Sequence, residues 1–172
     1  MDAITPNTVT QHGAGEQTLV LSHGVACEQN MGRQHAEEPA EAEDPAALRV
    51  LLVEDNPTNQ EVVRLILSTC EVSLAIADNG RLGVDAWAEG RFDVVLMDLQ
   101  MPVMDGLSAI REIRQREAEL GLPRTPIAVL SANAMEHHKR ESLSVGADLH
   151  LSKPITASAL IDGIAQALAL VA

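Results

Sequence analysis

Residues 94–106, VVLMDLQMPVMDG, hold a short apolar run that ends in a carboxylate. A run this short and this continuous reads as a strand buried on both faces rather than as one side of a helix. It stops at Asp98, and a turn marked by Pro102 and Gly106 follows within eight residues. A charged side chain where a strand leaves the core is either trivially solvated or aimed at a ligand. Its neighbours in space decide which.

Outward from that stretch, the chain alternates. LRVLLVED from Leu48 is an apolar strand run, and PTNQEVVRLILSTC is helical, with Val62, Val63, Ile66 and Leu67 at helical spacing. VSLAIA predicts a second strand, and an Asp78-Asn79-Gly80 turn leads into a helix through RLGVDAWAEG. After FDVVLMD comes the helix DGLSAIREIRQREAEL, with Leu107, Ile110 and Ile113 on one face and Gly121 and Pro123 punctuating its end. Strand PIAVLSA, helix MEHHKRESLSVG, strand DLHLS and helix TASALIDGIAQALAL complete the series. Five strands alternating with five helices imply right-handed crossovers and a doubly wound α/β domain with a parallel sheet.

Composition sets the boundaries. Among 172 residues 46% are hydrophobic, enough for a core, and Trp87 and Phe92 are its only Phe, Tyr or Trp side chains. A formal charge of −13 argues against nucleic acid or an anionic membrane as direct partner. No apolar stretch approaches the roughly 20 residues that cross a bilayer, and MDAITPNTVTQHG lacks a signal-peptide pattern. Cys27 and Cys70 are too few for a disulfide framework, so a cytoplasmic chain with reduced thiols is expected. Residues 1–47 are expected to form an acidic flexible tail or linker, and 48–172 the folded domain. HAEEPAEAEDPAA mixes Glu, Ala and Pro without apolar periodicity. In the tail, His12, His23, Cys27 and His35 are too irregularly spaced to argue for a metal.

In open α/β sheets ligands bind outside the carboxyl ends of the strands. There the sequence sets Glu54 and Asp55 after strand one, Asp98 after strand three, Ser131 after strand four, and Lys153-Pro154 after strand five. Two carboxylates about 4 Å apart repel by roughly 4 kcal/mol at an effective dielectric near 20. A hard dication with oxygen ligands offsets this, and Mg²⁺ fits a set without histidine or cysteine. With Lys153 and Ser131 added, the three peripheral oxygens of a phosphoryl group find a metal, an ammonium and a hydroxyl. Asp98, central in the sheet, is the expected nucleophile.

VEDN, MDLQMPVMDG, LSAN and LSKP together resemble the response-regulator receiver domain, over about residues 48–170. The resemblance implies Mg²⁺ held by Glu54, Asp55, Asp98 and the backbone carbonyl of Gln100, with Asp98 the phosphoacceptor. It implies Ser131 as a switch hydroxyl and a Lys153–Pro154 bond that is usually cis. It also implies that Gln100 and Asn133, two residues beyond Asp98 and Ser131, tune the lifetime of the aspartyl phosphate. One position departs: the family usually carries Tyr or Phe three residues before the lysine, and here it is His150, so the usual hydroxyl-to-ring coupling is altered.

DNPTNQEV, MDLQMPVMDG and SANAM are most similar to receivers in or serving hybrid sensor histidine kinases. That likeness implies a histidine kinase or a histidine phosphotransfer protein as partner, docking on the first helix through Asn59, Val62, Val63 and Ile66. No output domain follows the fifth helix in this chain, so signalling is expected to pass through surface contacts, through onward transfer, or through a domain not present here. Two other classes compete. Haloacid-dehalogenase-like phosphatases use the same residue types but require DxD on the first strand, where this chain has Glu54-Asp55-Asn56. A phosphorylation-independent binding module on the same fold is the remaining alternative. Glu112, Arg114, Arg116 and Glu119 are expected on a solvated helix face, Asp105 as a cap, and Met101 and Met104 as a soft contact patch.

Overall fold

The computed structural model describes residues 47–132 and 136–170. The expectations placed on the tail up to residue 46 and on Asn133 lie outside the described residues.

Five strands, β1 (Leu48–Val53), β2 (Val72–Ala77), β3 (Val94–Asp98), β4 (Ile127–Ser131) and β5 (Leu149–Ser152), form one parallel sheet in the order β2-β1-β3-β4-β5. Helices α1 (Pro57–Leu67), α2 (Gly80–Glu89), α3 (Gly106–Leu120), α4 (Glu136–Ser144) and α5 (Ala157–Ala169) alternate with them. Side chains alternate along a strand, so each central strand feeds two cores. Leu51, Val53, Val95, Met97, Ile127 and Val129 pack with α2 and α3, whereas Val50, Leu52, Val94, Leu96, Ala128 and Leu130 pack with α1 and α5. All twelve are fully buried, which explains why the strand runs are apolar without a break. Each Leu or Val so buried is worth about 1.5–3 kcal/mol.

The reversal of strand order between β1 and β3 matters most for function. From β1 the chain first runs to the edge strand β2, then crosses back to β3 on the other side. The carboxyl ends of β1 and β3 thus stand side by side with their outgoing connections diverging, which opens a crevice there.

Three expectations need correction. The first helix ends at Leu67, not Cys70, because the hydroxyls of Ser68 and Thr69 donate to the carbonyls of Leu65 and Ile66 and close the last turn. Arg114 is not on a solvated face: its side chain is only 11% exposed. It lies at helical spacing from Ile110, Ile113 and Glu117, the inward stripe of α3, and is held there by carboxylates. Met101 and Met104 are partly buried against the α2–α3 core rather than presented as a patch. Asp105 caps α3 as expected, accepting from the backbone N–H and the hydroxyl of Ser108.

Candidate functional site

The crevice is built from strand ends outward. Glu54 follows β1 directly and is almost fully buried, and its backbone N–H continues the ladder to the Ala77 carbonyl. Asp55 beside it is exposed. Asp98 is the last residue of β3 and 7% exposed. Carboxylate oxygens of these three residues lie within 4.8 Å of one another, the one such group of potential metal ligands among the described residues.

What holds like charges so close is visible in their partners. The Lys153 ammonium reaches in from the end of β5, 2.6 Å from Glu54 Oε2 and 2.8 Å from Asp98 Oδ2. Burial alone would lower the lysine pKa, but the hydrogen bonds to Asp98 and Glu54 outweigh it, and the ammonium is held above its ordinary value. One cation against three carboxylates leaves the cluster net negative. An all-oxygen set of this charge fits a hard divalent cation such as Mg²⁺.

The first turn of α1 supports the same carboxylate. Asn56 caps the helix, accepting from Thr58 and Asn59, and its own N–H points to Glu54 Oε1 at 3.3 Å. Pro57 starts the helix where no N–H is needed. Asn59 then donates its side-chain amide to Glu54 Oε1 at 2.9 Å. Gln60 donates to the Glu54 carbonyl at 2.7 Å and to Asp78 at 2.9 Å. Asn59, expected on a docking face, is therefore turned onto the acidic cluster, and Gln60 joins it. Spacing could have suggested this, since residues 59 and 60 lie in the first turn of α1, three and four positions after the cap Asn56 that follows the acidic pair.

The remaining expected residues fall as follows. Gln100 is exposed, and its N–H points to Asp98 Oδ1 at 3.2 Å. Gly106 packs directly on the Asp98 carbonyl, where any side chain would collide. Ser131 ends β4, buried, and its carbonyl accepts from the Lys153 N–H at 2.8 Å. The Lys153–Pro154 bond is cis. His150, half-buried on β5, sets Nδ1 3.3 Å from the hydroxyl of Ser142 on α4. Of the α1 residues, Val63 and Ile66 pack inward, while Val62 and, unexpectedly, Leu65 are exposed.

Fold and site together define an open α/β protein with a lysine-bridged carboxylate cluster at its topological switch point, the architecture of a signalling domain that handles phosphoryl groups. The chain matches the response regulator receiver domain over residues 50–165, and it belongs to that family. It is 40% identical over 124 residues to the sensor histidine kinase GacS of Pseudomonas protegens, a match covering 72% of this chain and 14% of that protein. The chain thus spans about one seventh of the length of that relative. Among solved structures it resembles the receiver domain of a sensor histidine kinase from Pseudomonas aeruginosa with a magnesium ion coordinated in the active site cleft. That match has a TM-score of 0.65 and 35% identity, covering 72% of this chain and 99% of that one. It is also similar to the co-crystal of the Saccharomyces cerevisiae histidine phosphotransfer protein Ypd1 with the receiver domain of the response regulator Ssk1. There the TM-score is 0.66 and identity 34%, over 69% and 86% of the two chains. Among the described residues no helix is long and apolar enough to cross a membrane.

Proposed function

We propose that this receiver accepts a phosphoryl group from a phosphohistidine onto Asp98 in a Mg²⁺-dependent step and passes it on, or signals, within a cytoplasmic phosphorelay. The observation that carries the reading is the approach of Glu54, Asp55 and Asp98 within 4.8 Å of one another, with the Lys153 ammonium bonded to Glu54 and Asp98.

In this reading an oxygen of Asp98 attacks phosphorus, the bond from phosphorus to the donor imidazole nitrogen breaks, and the imidazole leaves with its electron pair and takes up a proton. Glu54, Asp55, Asp98 and the Gln100 carbonyl would hold Mg²⁺, which when bound neutralises phosphoryl oxygens. Asn59 and the Asn56 N–H orient Glu54 for that role. Lys153, already 2.8 Å from Asp98, moves its charge to a phosphoryl oxygen, and Ser131 supplies a hydroxyl from the neighbouring strand. His150 transmits the change toward α4 through Ser142 instead of by an inward-turning phenol or phenyl ring. Gln100 and Asn133 set access of water to the acyl phosphate. Residues 48–172 act as the receiver and 1–47 as its linker, with a histidine kinase or histidine phosphotransfer protein docking over α1.

Intact mass after incubation with phosphoramidate and Mg²⁺ tests this. A single phosphoryl adduct is expected, absent with EDTA and absent in Asp98→Asn. An unmodified wild type under all conditions would leave only the phosphorylation-independent module.

A further inference from the structure

Glu54 and Asp98 are buried and bonded to Lys153, whereas Asp55, the third carboxylate of the cluster, is exposed. An exposed carboxylate is aimed chiefly by the backbone that carries it. A hard dication makes that aim costly to miss, since Mg²⁺ takes its oxygens at about 2.0–2.1 Å in near-octahedral array.

Gln60 grips the backbone on either side of Asp55. Its side-chain amide donates to the Glu54 carbonyl at 2.7 Å, and its own N–H donates to the Asn56 carbonyl at 3.0 Å. The first of these carbonyls belongs to the peptide unit joining the two acids, so its direction sets how Asp55 leaves the end of β1. The second closes the first turn of α1 just beyond Asp55. Asn59 holds the Glu54 carboxylate through Oε1 at 2.9 Å. Gln60 holds the peptide that follows it.

The amide is itself anchored. Its Nε2 also donates to Asp78 Oδ1 at 2.9 Å. Asp78 follows β2 directly, and Val53 pairs with Ala77, so Glu54 and Asp78 stand side by side one residue beyond the paired strands. A carbonyl and a carboxylate both only accept, so the amide must turn its NH₂ to them and commit both hydrogens. A long side chain with several free torsions would hold a carbonyl poorly through one bond. The second bond, to a charged acceptor, pins it.

We propose that Gln60, anchored by Asp78, is a positioning residue that sets the affinity of the acidic cluster for Mg²⁺ by fixing the Glu54–Asp55 peptide. This rests on the reading of the cluster as Mg²⁺ ligands. Both amide hydrogens go to the Glu54 carbonyl and Asp78, and neither to Asp98, so the effect falls on metal binding rather than on the transfer that follows.

The test uses Gln60→Leu, which removes both donors, and Asp78→Ala, which removes the anchor. Two-dimensional NMR of the whole chain across a Mg²⁺ titration reports the fold and the Mg²⁺ dissociation constant together. Intact mass after phosphoramidate at graded Mg²⁺ reports transfer. For Gln60→Leu the dissociation constant should rise about tenfold, the lower end of what an outer partner of a metal ligand supplies. The Mg²⁺ concentration giving half-maximal phosphorylation should rise by the same factor, with the rate at saturating Mg²⁺ unchanged. Asp78→Ala should weaken binding less than Gln60→Leu does, and less again in the Gln60→Leu background, where no amide is left to anchor. An unchanged dissociation constant in Gln60→Leu would overturn the proposal, even with a lowered thermal midpoint, which would mark the bonds as purely structural. A slower rate at saturating Mg²⁺ would assign Gln60 to the geometry of Asp98 and equally overturn it. Equal loss from Asp78→Ala in both backgrounds would leave Asp78 acting by its charge alone and overturn the anchoring. A wild type that binds Mg²⁺ but takes no phosphoryl group would sink the receiver reading, while the dissociation constants would still decide this inference. A wild type that binds no Mg²⁺ would sink both.

Discussion

The two ends of the sheet each gather charged side chains, most of them buried, and they are balanced in opposite ways. At the amino ends of β4 and β5, Arg114 bonds Glu117 and Asp148, each at 2.7 Å, and Arg124 bonds Asp148 at 2.9 Å. The spare valences there are filled as well. Thr125 and Ile127 donate backbone N–H groups to Glu117 and Asp148, and the carbonyls of Thr125 and Gly146 accept from Arg114. Two guanidinium groups face two carboxylates, and the arrangement is complete. At the carboxyl ends one ammonium bonds Glu54 and Asp98, and the exposed Asp55 adds a third carboxylate within 4.8 Å of theirs. A buried ion cluster that closes electrically can only hold the fold. One that stays open has affinity left for something else.

The largest effect that would break this contrast is expected at the closed end. Arg114→Ala leaves Glu117 and Asp148 buried without their main partner and should cost about 3–5 kcal/mol of stability. Urea unfolding followed by Trp87 fluorescence reads it directly, because the indole N–H bonds Thr125 beside the network at 2.9 Å. A loss under about 1 kcal/mol would mean that this end is no more closed than the other.

At the open end the signs reverse. Mg²⁺ at ten times its dissociation constant should stabilise the wild type by about 1.4 kcal/mol. Asp98→Asn removes one of the crowded charges, so its metal-free midpoint should not fall, while most of the Mg²⁺ increment disappears. Arg114→Ala, though much less stable, should keep the increment. Thermal melts across a Mg²⁺ titration compare all three proteins, and an increment in Asp98→Asn equal to wild type would count against the assigned ligands.

A smaller effect sharpens the comparison. Asp105 lies at the open end but is locally satisfied. Burial would raise its pKa, but hydrogen bonds from the N–H and hydroxyl of Ser108 prevail and hold it below the ordinary 3.8. A depressed carboxylate contributes stability above its unfolded pKa and loses it as pH falls through the native value. Asp105→Ala should therefore cost about 1 kcal/mol at neutral pH. The gap to wild type should narrow as pH drops below 3.8 in matched unfolding series. A gap independent of pH would assign the loss to packing instead.

The sequence made the open end legible and the closed end nearly illegible, for a physical reason. Glu54, Asp98, Ser131 and Lys153 each terminate a strand, and a parallel sheet brings strand termini to one edge whatever the details of packing. Arg114 and Glu117 sit inside a helix rich in charge, where alternating signs read as a solvated face. The warning was their spacing from Ile110 and Ile113, which places them on the inward stripe. Asn59 shows the same limit near the site: its helical position was clear from sequence, but the turn of its amide onto Glu54 depends on where β1 ends relative to α1. Val103 lay in a stretch marked as a turn, yet its positive φ of 69° was not legible there, because a β-branched residue rarely adopts that backbone.

Lys153 and Glu54 are 99 residues apart along the chain. A ribosome adding about 5–20 residues per second needs roughly 5–20 s to travel from one to the other. Throughout that interval Glu54 and Asp55, and later Asp98, have emerged or are emerging without the ammonium that will sit between them. The nascent sheet must meet those charges with dissolved cations alone. The cation that completes the acidic cluster thus arrives with β5, the strand that also completes the sheet.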